Sequence, residues 1–219
     1  GFTLVLVLFL YTAWDPFEVL PSFEELENPQ ENLATEVISV DGKTIGKYAT
    51  ENRTPVKFKE LPTNLVNALT ATEDERFYEH SGIDFKGLAR AVLKPGSGGA
   101  STITQQLARA LFTGAASRNK FKRVLQKVKE WVVATKLEKQ YTKDEIIAMY
   151  LNKYDFLNHA VGIRSAARIY FGKEPKELAI AEAAMLVGML KNSSYFNPLR
   201  REAKVKQRRN VVLKQMTRS

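Results

Sequence analysis

Apolar residues recur three and four apart over nearly all of the chain after Pro62. That period predicts helices at 63–79, 84–93, 102–112, 119–139, 143–151, 162–169, 178–191 and 199–217. Thr142 followed by Glu145 makes a capping box for one of them. Before Pro62 the pattern changes. EVISV and KTIGKYA flank Asp41-Gly42, a dipeptide suited to the positive φ angles of a type I′ turn, so this stretch reads as a small β-hairpin. Residues 15–35 are acidic and proline-containing, and they read as a linker. Residues 1–14 are uncharged and end on Tyr11 and Trp14, as at a membrane interface. They are too few to span a bilayer, which takes about 20 residues. Because the chain opens on Gly1, they are expected to be the C-terminal part of a truncated transmembrane helix, with a core helix or a signal-peptide core as the plainer readings. Residues 36–219 then form one mainly α domain.

Within that pattern one position is out of place. Leu65, Leu69 and Phe77 lie four and eight apart, and Glu73 occupies the missing place in their ridge. A carboxylate on the inward side of a helix needs a reason. A second one stands at Glu130, in the helix NKFKRVLQKVKEWVVATKLEKQY. Positions 123, 126, 127, 130, 133, 134 and 137 share a face there, and Glu130 falls where a basic stripe gives way to an apolar one. Taken alone, Glu130 reads as an ordinary surface partner of Lys127 or Arg123, worth a few tenths of a kcal/mol. Between these two, KPGSGGASTITQQLARALF runs from a glycine-rich loop into a helix through Ser101 and Thr102, with Gln105 and Gln106 on its first turn. Backbone N–H groups at such a start can meet anionic oxygens; a capped surface loop is the plainer reading. No Gly-Lys-Ser/Thr follows, so it is not a Walker A loop.

Composition narrows the partners. The 219 residues include no cysteine, which removes disulfides and thiolate metal sites. The net charge of +9 favours an anionic partner: nucleic acid, acidic lipid headgroups or a phosphorylated substrate. A nucleic-acid binder would interleave aromatic residues with its basic ones for base stacking. The basic stretch 119–129 has only Phe121, so no nucleic-acid partner is expected.

EDERFYEHSGID, GGASTITQQL, KVKE, KLEKQYTKDEIIAMYLNK, AVGIRSAARIYFGK and AEAAMLVGMLKNSSYFNP follow one another over roughly residues 36–215. In order and spacing they resemble the peptidoglycan glycosyltransferase domain (glycosyltransferase family 51) of class A penicillin-binding proteins and monofunctional transglycosylases. The resemblance implies a lysozyme-like fold and polymerisation of lipid II into β-1,4-linked glycan with inversion and release of undecaprenyl pyrophosphate. It also implies a single-pass anchor in the bacterial inner membrane, with the catalytic domain on the outer, periplasmic face, and sensitivity to moenomycin-type inhibitors. On the family pattern Glu73 is the catalytic base and Glu130 the second catalytic glutamate, orienting cations. Ser101, Thr102, Gln105, Gln106, Arg109, Lys122 and Lys127 are the matching substrate-binding positions. No cofactor is required by the pattern, although Mg2+ or another divalent cation beside the phosphates is an expectation for some members.

The chain departs from the family in three places. Arg109-Ala110 stands where Lys-Asn is usual, and Gln126-Lys127 where Arg-Lys is usual, so a phosphate-side cation is missing at Gln126. Tyr154-Asp155-Phe156-Leu157 replaces a usual Ile-Tyr-Phe-Gly. Two other classes compete with the transferase. One is a lysozyme-like hydrolase, since paired carboxylates also cleave glycosidic bonds; the other is a catalytically silent scaffold.

Overall fold

The computed structural model describes residues 35–41, 44–48, 55–94, 101–114 and 119–218. The expected anchor and linker, the glycine-rich loop at 95–100 and the connector at 115–118 lie outside them, as does Gly42 of the expected turn. Two short strands come first: β1, Thr35–Ile38, pairs antiparallel with β2, Thr44–Tyr48, with an irregularity between Val37 and Ile38. Eight α-helices follow: α1 Thr63–Glu73, α2 Phe85–Leu93, α3 Ile103–Ala108, α4 Lys120–Gln140, α5 Lys143–Lys153, α6 Ile163–Phe171, α7 Ile180–Leu190 and α8 Glu202–Met216. None of the described helices is long and apolar enough to cross a membrane.

The helix placements follow from local chemistry. Asn119 caps α4 by accepting from the N–H groups of Phe121 and Lys122. The expected capping box opens α5: Thr142 Oγ1 accepts from Glu145 N, and Glu145 Oε2 from Thr142 N at 2.7 Å. Gly172 in the left-handed region stops α6. Most of α7 is buried, from Ala183 to Leu190, because its sequence is apolar on every side. It therefore lies inside, with α1 and α8 packed against it; α3 is covered separately by α4 and α5. Leu65, Leu69, Ile103, Leu107, Ile147 and Leu186 are fully buried in the shared core.

Two expected α-helices are shorter than their patterns, and the one expected at 102–112 ends at Ala108 and continues as a wider turn over Arg109–Thr113. The helix predicted at 63–79 ends at Glu73, because Asp74 leaves helical geometry at φ −161° and ψ 75°. The Asp74 carboxylate turns inward, accepting from Ile103 N at 3.0 Å and meeting His80 Nε2 at 3.0 Å. His80 Nδ1 accepts from Gly82 N, so the ring proton sits on Nε2 and is donated to Asp74. Phe77 is buried as expected, but from a separate short turn over Phe77–Glu79 rather than from the α1 ridge. Glu73 thus becomes the last residue of α1, beside the first residue of a buried polar bridge to α3.

Gly82 completes that bridge. Its φ is +88°, and a Cβ there would stand 2.9 Å from the Ala134 carbonyl, so the loop can press on the α4 backbone only as glycine. From that position the Gly82 carbonyl accepts from Thr102 Oγ1 at 2.8 Å and from Gln105 Nε2 at 3.1 Å. Thr102 Oγ1 in turn accepts from Gln105 N, capping α3. A buried residue with every polar atom satisfied is rigid, and Gln105 is a fixed platform for that reason.

Candidate active site

Adjacent residues on a helix point roughly 100° apart. Gln105 and Gln106 therefore leave α3 in different directions: Gln106 reaches Glu73 directly, and Gln105 meets Glu130 only through Lys127. Gln106 Nε2 donates to Glu73 Oε2 at 3.1 Å, while its Oε1 accepts from the Tyr150 hydroxyl of α5 at 3.0 Å. This fixes the amide's orientation: Tyr150 determines that the NH2 end faces Glu73. Burial pushes the Tyr150 phenol well above its ordinary value, and the Glu73 charge adds to the effect. It therefore stays a donor. On the other side of Glu73, Arg208 of α8 places Nη2 3.8 Å from Oε1. The Glu73 side chain is 15% exposed, mostly sheltered yet still reached by solvent.

The second carboxylate is held quite differently. Glu130 is 3% exposed and accepts from Arg109 Nε at 2.7 Å, Arg109 Nη2 at 3.1 Å and Lys127 Nζ at 3.0 Å. The Arg109 contact is bidentate, one nitrogen to each carboxylate oxygen. Lys127 Nζ also donates to Ser101 Oγ at 2.9 Å and Gln105 Oε1 at 3.1 Å. The anion is sunk, while Arg109 and Lys127 keep 42% and 32% of their side chains exposed. Hydrogen bonding to Glu130 raises the Arg109 pKa, against the cost of its partial burial. One negative and two positive charges leave one net positive charge facing outward, a preorganised seat for an anion.

A widened helical turn delivers Arg109 to this place. After Ala108 the chain makes a π-type turn over Arg109–Thr113, with Gly114 N donating to Arg109 O at 2.9 Å. Such turns alter the direction of side chains and recur at functional sites. Gln126, where the family pattern has a cation, instead donates from Nε2 to the Thr113 carbonyl at 2.9 Å and braces the end of that turn.

Of the nine residues singled out in the sequence, the structure gathers Glu73 with Gln106, and Glu130 with Ser101, Gln105, Arg109 and Lys127. Thr102 holds the α3 cap. Lys122 is exposed on the first turn of α4, and among the described residues no side-chain bond joins it to either cluster. Sequence reasoning missed Tyr150, Asp74, His80 and Arg208. Asp74 and His80 were within the quoted EDERFYEH string, whereas Arg208 was hidden in a helix that reads simply as basic and amphipathic.

A model of the transglycosylase family matches residues 41–217, most of the chain. The chain belongs to the transglycosylase family. Penicillin-binding protein 1A of Vibrio cholerae is 40% identical over 99% of this chain and 26% of its own length. Penicillin-binding protein 1A of Pseudomonas aeruginosa is 41% identical over 90% of the chain and 24% of its own length. The crystal structure of penicillin-binding protein 1A from Haemophilus influenzae aligns with a TM-score of 0.45 at 27% identity, covering 84% of this chain and 18% of that one. The transglycosylase chain thus spans about a quarter of the length of the curated relatives it matches, and it is a glycosyltransferase domain of the class A penicillin-binding-protein type.

The segment after α5, which departs from the family string in sequence, carries three consecutive residues in the left-handed region. Leu157, Asn158 and His159 all have positive φ, at 64°, 53° and 63°, and Leu157 stands where the family pattern has glycine. Asn158 Nδ2 donates to the Tyr170 hydroxyl at 2.9 Å, and that hydroxyl donates to Phe156 O at 2.7 Å. These bonds offset part of a left-handed cost of about 1 kcal/mol or more per residue.

Proposed function

We propose that this chain polymerises lipid II into β-1,4-linked peptidoglycan strands, joining the growing glycan to the next lipid II with inversion and release of undecaprenyl pyrophosphate. A sugar hydroxyl is a poor nucleophile and needs a base within hydrogen-bond reach as the bond forms. Glu73 is that base: Oε1 takes the proton of the acceptor 4-hydroxyl while Gln106 holds Oε2. The hydroxyl oxygen attacks the donor's anomeric carbon, the carbon–oxygen bond to pyrophosphate breaks, and its electron pair stays on the departing phosphate. Arg109 and Lys127 offset the charge that develops there. Glu130 holds both cations in place and does not act as a second base.

The observation that carries this reading is the difference in how the carboxylates are held. Both Glu130 oxygens are occupied by charged donors, whereas Glu73 Oε1 has no donor within hydrogen-bond distance among the described residues. In this reading a divalent ion such as Mg2+ would be held mainly by the substrate phosphates. Those Glu130 oxygens already accept from cations, and among the described residues no three acidic or histidine side chains converge on one point. The same reading places a lysozyme-like domain beside the bacterial inner membrane, on its outer face, behind the anchor of residues 1–14. Moenomycin-type inhibitors would enter through the Arg109–Lys127 seat.

The test is to incubate the protein with labelled lipid II and, separately, with finished glycan. Polymer from lipid II with the wild type and none with Glu73→Gln supports the proposal. Soluble fragments from finished glycan would instead mark a hydrolase, and no change in either material a scaffold.

A further inference from the structure

Arg208 lies in α8, far along the chain from every residue discussed as catalytic, yet its guanidinium ends beside Glu73. Its route there is specific. Gly188 of α7 faces the Arg208 stem, and a Cβ at 188 would approach Arg208 Cγ to 3.0 Å, closer than side chains normally pack. The guanidinium is 13% exposed, and among the described residues its buried Nε has no hydrogen-bond partner. Burial lowers the Arg208 pKa, an effect that the Glu73 charge opposes. Sheltering a cation without full compensation costs free energy, and an arginine used only for packing could be replaced by an apolar residue without that cost.

The geometry on the Glu73 side is equally informative. At 3.8 Å the two charges attract but form no hydrogen bond. Direct donation from Arg208 would take up the lone pairs of Oε1. With Gln106 donating to Oε2 at 3.1 Å and a cation standing off Oε1, the carboxylate is held at both ends with one oxygen free. Tyr150 of α5 and Tyr154 just after it also sense the Glu73 charge, but Tyr150 is committed to Gln106, and the Tyr154 hydroxyl reaches the Met189 and Leu190 carbonyls. Among the described residues, Arg208 is therefore the charged group beside the free oxygen of Glu73.

We infer that Arg208 is a positioning residue for the glycosyl-transfer base, aligning the Glu73 carboxylate for the acceptor hydroxyl while leaving Oε1 open. This rests on the reading of Glu73 as the base. The prediction is a loss in kcat rather than in substrate binding, because displacement of a reacting group by about 1 Å costs on the order of 10²-fold.

The experiment measures lipid II polymerisation by the full chain bearing Arg208→Met, Arg208→Lys or Glu73→Gln. Arg208→Met is expected to lower kcat by about 10²-fold with KM for lipid II and moenomycin affinity within about twofold of wild type, and Arg208→Lys to recover about tenfold of the loss. Unchanged kcat in Arg208→Met, a loss carried in KM, or a lysine variant no better than methionine would overturn the inference. Activity in Glu73→Gln would overturn the base assignment itself, which separates the two failures. Should Arg208→Met not fold, melting of Glu73→Gln still decides: removing the counter-charge of a sheltered guanidinium should lower Tm by a few degrees, and an unchanged or higher Tm rejects the pairing.

Discussion

Glu73 and Glu130 both approach α3, and each meets one of its two adjacent glutamines, Glu73 directly and Glu130 through Lys127. There the likeness ends. Glu130 lies at the bottom of its pocket with two cations bonded to it; Glu73 closes a helix, accepts one neutral amide and faces an arginine that stands off. A carboxylate saturated by charged donors has little capacity to take a proton, but it holds those donors where a phosphate can meet them. A carboxylate with an open oxygen can take a proton. In the proposed reaction these identical side chains serve opposite ends because of what surrounds each.

The largest expected effect comes from the open carboxylate. Glu73→Gln should lower lipid II polymerisation by about 10²- to 10⁴-fold with an unchanged circular dichroism spectrum, because an amide cannot accept the hydroxyl proton. Turnover like the wild type would remove the distinction between the two glutamates.

Glu130→Gln should come next, with a turnover loss of about 10²-fold. Here stability should fall too, since Arg109 and Lys127 are left as like charges around a buried amide. Thermal melting beside kinetics checks this; a kinetic loss with an unchanged melting temperature would argue against a cation-holding role.

Lys127→Ala is expected to lower turnover by about tenfold and to weaken binding of a phosphate-bearing inhibitor such as moenomycin, with a smaller effect at high salt where screening already reduces the attraction. If inhibitor affinity is unchanged, Lys127 only braces Ser101 and Gln105.

Tyr150→Phe should have the smallest effect, because it acts on Glu73 through Gln106 alone. Losing the hydroxyl frees the Gln106 amide to turn, for a drop in kcat of a few fold and about 1 kcal/mol of stability. An effect on inhibitor binding as large as that of Lys127→Ala would mean that the two clusters are coupled rather than separate.

Six of the eight helices begin and end close to where periodicity and capping chemistry predict them, because an amphipathic stripe and a capping box are local properties. The exceptions are α3, which passes into the π-type turn at Arg109, and α1. The α1 pattern continues past Glu73 through Phe77, but the competing interaction that ends it, Asp74 with Ile103 N and His80, joins residues whose meeting no local period records. The individual motifs also named most of the gathered side chains, since each string carried its own polar residues out of step with the surrounding core.

The sequence by itself determined the family, the helical plan and the identity of two carboxylates and the cations near them. Their division of labour was decided only by the tertiary structure. Lys122 and Lys127 both lie in the basic first half of α4, yet of the two only Lys127 reaches Glu130 and Gln105, because it stands on the face that turns inward while Lys122 is exposed. Arg208 looks like its neighbours in a basic helix, and it becomes a partner of Glu73 only because α8 packs on α1 and α7, where a glycine leaves room for its stem. Burial and distance belong to the packed whole, and they determine which carboxylate is saturated and which keeps a free oxygen.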